Sequence, residues 1–138
     1  MLGEFFAARP EDIDDRLVED GPFERLPTVE AKSLSEVTFA TLGEILGVGA
    51  YDDLVERAAE GPQSESGEAG ILTIPTEIRD ALATLDDDLD GVAKRWAATD
   101  ELQGWWPQGE LSVLLGELSQ LARDARSSDQ QLWYWWSL

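Results

Sequence analysis

Apolar residues recur along this chain at two spacings, and the helical one is plainest after the Trp105-Trp106-Pro107 break. There Leu111, Leu114, Leu115, Leu118, Leu121, Ala122 and Ala125 fall on one stripe, which predicts a long amphipathic helix. Thr76 to Leu85 repeats the pattern with Ile78, Leu82 and Leu85, and Tyr51 to Ala59 does so with Leu54, Val55 and Ala58. Asp86 stands where it can cap a helix carrying Leu89, Val92, Ala93, Trp96 and Ala97. Ser33-Leu34-Ser35-Glu36 has the form of a capping box, so a helix is expected from Ser33 with Leu34, Val37, Leu42, Ile45 and Leu46, stopped by Gly47 and Gly49. Pro10 suits the first turn of another, with Glu11, Asp12, Asp14 and Asp15 at its positive end and Ile13, Leu17 and Val18 inward.

The shorter spacing marks strands. Leu2 to Ala8 is an apolar N-terminal run, Val29 and Ala31 alternate with Glu30 and Lys32, and QQLWYWWSL closes the chain with aromatic residues suited to a sheet. Ile71 to Ile74 is a brief apolar run leading into Pro75, and GPQSESGEAG at 61–70 reads as a flexible loop. The sum is a mainly helical α+β domain spanning residues 1–138, with a small sheet from the N-terminal, Val29-region and C-terminal strands and the helices on one sheet face. A length of 138 residues with 43% hydrophobic content supports a packed core and fits one domain.

Charge narrows the range of partners. With 29 acidic residues against 10 basic ones, the formal charge is −19, a field that repels nucleic acid and anionic membranes and favours a partner with a basic surface. No apolar run approaches the ~20 residues of a membrane span, and MLGEFFAARPEDIDD lacks the basic and long apolar parts of a signal peptide, so a cytoplasmic protein is expected. Histidine and cysteine are both absent, which removes disulfides, thiolate nucleophiles, imidazole bases and the usual zinc ligands. No nucleophile elbow, Walker glycine loop or dinucleotide fingerprint is present, and a carboxylate pair among so many acids arises by chance. No enzyme activity, cofactor or metal is expected.

Asp86, Asp88, Asp90 and Gly91 match the opening of a calcium loop. The match ends there, because Lys94 stands at the ninth position and Ala97 where a bidentate glutamate is required. Acids at a helix N-terminus account for the motif. Six tryptophans are the other unusual feature, and Trp133, Tyr134, Trp135 and Trp136 are consecutive. On a strand Trp133 and Trp135 share one face, Tyr134 and Trp136 the other. One pair enters the core; the second needs cover from Trp96 or from Trp105-Trp106, or it lies exposed. Trp105, Trp106, Tyr134 and Trp136 are the candidate binding surface.

GEFFAA at the start, VEAKSLSEVTFATLGEILGVGAYDDL in the middle and LWYWWSL at the end resemble a family of short, stand-alone actinobacterial proteins with no assigned function. The resemblance implies a bacterial cytoplasmic protein of high-GC origin and carries no functional residue with it. The function expected is a non-enzymatic interaction module that binds a basic protein, as an inhibitor or immunity protein does. A small-molecule domain with an aromatic pocket is the alternative, and a carboxylate enzyme the third reading. A small sheet with exposed edges, carrying an aromatic strand at its C-terminus, would also make a homodimer seam.

Overall fold

The computed structural model describes residues 2–22, 26–59, 61–85, 88–102 and 106–138. Among them strands β1 (Leu2–Ala8), β2 (Thr28–Glu30), β3 (Ala69–Thr73) and β4 (Gln131–Ser137) form one antiparallel sheet in the order β2-β1-β4-β3. Helices α1 (Asp15–Asp20), α2 (Glu36–Ile45), α3 (Tyr51–Ala59), α4 (Thr76–Ala83), α5 (Leu89–Ala97) and α6 (Gln108–Ser127) complete an α+β fold. No helix among the described residues is long and apolar enough to cross a membrane.

Helices α2 to α6 share one core with one face of the sheet, where Phe5, Ala7, Leu132 and Tyr134 meet Phe39, Leu54, Ile78, Trp96 and Leu118. All seven residues of the predicted α6 stripe are buried there. Phe5, Phe39 and Tyr134 pack edge to face, with ring centroids 4.9 to 5.5 Å apart. Trp96 is fully buried and donates from Nε1 to the Thr38 carbonyl at 3.1 Å. It therefore belongs to the main core and covers neither Trp133 nor Trp135.

The other face of the sheet carries a second, smaller core of Phe6, Ala8, Ile71 and Trp135, covered by Leu17 and Val18 of α1. The helices thus lie on both faces and not on one. The expected single helix after Pro10 is two pieces, a 3-10 turn at Pro10–Asp12 and then α1, because Asp14 accepts from the Leu17 amide at 2.7 Å and caps a new start. The start of α2 also moves. Ser33 takes a positive φ of 63° in the turn after β2, and Ser35 becomes the cap, its amide donating to Thr38 Oγ1 at 2.9 Å.

β3 is a fourth strand beyond the three expected. Residues 61–70 are held to it and are no free loop: Ser64 donates to the Ala69 carbonyl and Ile71 to the Pro62 carbonyl, both at 2.9 Å. β4 is paired on both sides, so the aromatic strand is central in the sheet. Asp86 lies outside the described residues, and Gly91 sits inside α5 and not at a turn.

Candidate functional site

A hollow lies where the chain leaving β2 faces the chain joining α5 to α6. One wall is Glu30, Ala31, Lys32 and Ser33; the other is Glu101, Leu102, Trp106 and Glu110, enclosing about 520 Å³. Local structure positions both walls. Leu34 is buried and its amide donates to Tyr134 Oη at 3.3 Å, which fixes the turn after β2. Opposite, Thr99 Oγ1 donates to the Trp96 carbonyl at 2.6 Å, and the buried Leu102 donates to the Thr99 carbonyl. The Trp106 amide then donates to the Leu102 carbonyl at 3.4 Å, leaving the indole half-buried ahead of α6.

A second hollow of about 330 Å³ adjoins this groove through Glu30, Trp106 and Glu110, and extends along α6 to Val113 and Glu117. Val113 is 63% exposed, a large apolar side chain at the rim. Trp106 is therefore an apolar surface among Glu30, Glu101, Glu110 and Glu117, with Lys32 the one cation on the walls among the described residues. None of these carboxylates forms an ion pair among the described residues. The field extends to Tyr51, whose hydroxyl is held above its usual range by burial first and then by Glu101, Asp52, Glu44 and Glu36.

On the other side of β2 a hollow of about 300 Å³ gathers Glu4, Asp20 and Glu30 beside Trp135. Glu4 lies directly opposite Glu30 across the strand pair, and its Oε2 is buried with no hydrogen-bond partner among the described residues. Burial, and then the charge of Glu30, push the Glu4 carboxyl up from its ordinary value. A carboxyl pushed up by burial and by a second carboxylate is a pattern that acid–base catalysis uses. It also arises whenever a strand register sets two glutamates face to face.

The four aromatic residues picked out by sequence part company. Trp106 lines the acidic groove, whereas Tyr134 is fully buried in the main core and presents no surface. Trp136 packs over Gly70 and lines a separate hollow of about 340 Å³ with Leu34, Glu36, Gln63 and Leu72. Trp105 lies outside the described residues. Trp106 and Trp136 thus do not share a pocket. Glu30, Glu101 and Glu110 were not picked out by sequence; the available signal was two acids bracketing the WWP break in ELQGWWPQGE. Of the calcium-like aspartates, Asp88 faces Arg95 at 3.2 Å and Asp90 accepts from Ser112 Oγ at 2.8 Å. No family model, curated protein or solved structure matches the chain.

Proposed function

We propose that this protein is a non-catalytic binding module that takes a cationic protein partner in the groove around Trp106. The observation that carries the reading is the half-buried indole between Glu30, Glu101 and Glu110, in a hollow of about 520 Å³. An arginine or lysine stem can lie on the indole while its charged end meets a carboxylate. The formal charge of −19 adds steering of a basic partner and repels nucleic acid. An inhibitor or immunity protein for a basic target has this chemistry.

The test is titration of the isotope-labelled protein with a blocked hexa-arginine peptide, followed by amide shifts. Shifts centred on Ala31, Glu101, Trp106 and Glu110, weakening with salt, are expected. Replacing Glu101 and Glu110 together by glutamine should weaken binding about three- to tenfold. Shifts scattered evenly over the acidic surface, or binding unchanged in that variant, would overturn the proposal. A small organic cation is the second reading, favoured by a volume within the range of ligand pockets, about 300–1,000 Å³. Choline in place of the peptide separates the two, because it fills the groove without engaging its length.

A further inference from the structure

The edges of the sheet differ in what covers them. β3 is covered by residues 62–64 through the bridge of Gln63 to Gly70 and the two hydrogen bonds described above. β2 is the other edge, and among the described residues no strand lies beyond it. Its register determines which backbone groups face out. The Ala31 amide donates to the Gly3 carbonyl at 3.0 Å, and Glu4, Phe5 and Phe6 lie opposite Glu30, Val29 and Thr28. In an antiparallel ladder, residues that bond to the neighbouring strand alternate with residues that bond away from it. Val29 and Ala31 therefore turn their N–H and C=O to β1, while those of Thr28 and Glu30 point away from the sheet. The Trp106 groove begins at Glu30, the last residue of β2, and continues along Ala31, Lys32 and Ser33.

We infer that the open edge of β2 takes an extended basic segment of a partner protein as a fifth strand, seated in the groove beside Trp106. This rests on the binding reading above and adds its mode and the shape of the partner. Successive side chains of an added strand point to opposite sides of the sheet. Around β2 both sides carry carboxylates: Glu4 and Asp20 in one hollow, Glu101 and Glu110 in the other, with Glu30 lining both. Cations on alternate residues, and on both faces, find partners. A second copy of this chain is the poorer occupant, since pairing β2 with β2 sets Glu30 near Glu30 between two molecules of charge −19.

The probe is a blocked Arg-Val-Arg-Val-Arg-Val peptide and two N-methylated forms, one methylated on the arginine amides and one on the valine amides. In an added strand one set of amides faces β2 and the other faces solvent. One methylated form should lose about tenfold or more in affinity, as expected for loss of the bonds to the Thr28 and Glu30 carbonyls, while the other stays within about twofold of the parent. Amide exchange at Glu30 should slow on binding, and that at Val29, already bonded to β1, should not change. Two methylated forms of equal affinity, an unchanged Glu30 amide, or binding of hexa-arginine but not of the alternating peptide would overturn the strand mode and leave the cation-binding groove standing. Failure of both parent peptides would remove both. A concentration-dependent dimer that closes the Glu30 amide without peptide would assign the edge to a second copy instead.

Discussion

The Tyr134 hydroxyl donates to the Ala31 carbonyl at 2.5 Å, although β1 runs between β4 and β2. The phenol crosses over Gly3, where a Cβ would overlap its hydroxyl. It also accepts from the Leu34 amide and so holds the turn that forms one wall of the Trp106 groove. Burial raises the Tyr134 hydroxyl to about 12, so it remains protonated as the donor throughout the physiological range. Tyr134→Phe removes both bonds, leaving the Ala31 carbonyl without this donor and the Leu34 amide without its acceptor, and should cost about 1–3 kcal/mol in urea unfolding. Gly3→Ala forces the ring aside and should cost a similar ~1–3 kcal/mol, with amide shifts at Lys32 to Leu34.

Glu4 gives stability an unusual pH dependence. Its carboxyl binds a proton more tightly in the folded state than at its ordinary 4.5. Its contribution is therefore complete below 4.5 and is lost as pH rises through the folded value. Lowering the pH from 7 to 4.5 should raise the urea midpoint through this group. Glu4→Gln should flatten that rise and stabilise the protein at pH 7 by about 0.2–1 kcal/mol, the size of a cross-strand pair term.

Arg57 ties α3 to α4 through both oxygens of Glu77, with Nη2 to Oε1 at 2.8 Å, and Asp53 adds a longer contact of 3.6 Å. The hydrogen bonds from Arg57 hold the Glu77 carboxyl below its ordinary value. The sign is opposite to that of Glu4: this stabilisation is present above 4.5 and is lost as pH falls through the lower folded value. The side chains are 37% and 44% exposed, so solvent screens the pair. Glu77→Gln should cost about 1 kcal/mol or less at pH 7, and less again in high salt.

Trp135 secures the cover of the smaller core. Its Nε1 donates to the Val18 carbonyl at 2.8 Å, and a Cβ on Gly21 would approach the ring to 3.0 Å. Trp135→Phe should cost about 1 kcal/mol from the hydrogen bond alone. Amide exchange in Asp15–Asp20 should speed up more than in α6, because this short helix has few other contacts with the sheet. Equal acceleration in α6 would show that the two cores open together.

Helices whose apolar stripe meets one continuous core were legible from spacing alone. Leu111 to Ala125 kept their face, and Tyr51–Ala59 kept its boundaries. Caps were less legible, because Ser33 and Ser35 are both competent and the choice depends on Tyr134, 100 residues from the Leu34 that it holds. β3 was hidden because Gly70 and the paired Ser64 read as loop residues until Trp136 is placed over Gly70. In the groove, Trp106 was visible as an aromatic at a break, but its carboxylates were three among 29 acids.

Local spacing in the chain was enough to determine the α+β class, most helices, two apolar faces on the closing strand and a strongly negative surface, since each depends on neighbours a few residues apart. Only the tertiary structure decided that β4 is central, that α1 covers the second face, that β2 is an edge strand among the described residues and that Glu30 and Trp106 line one groove. Strand order and the meeting of distant residues depend on which faces pack together, and that free energy is settled between segments far apart in the chain.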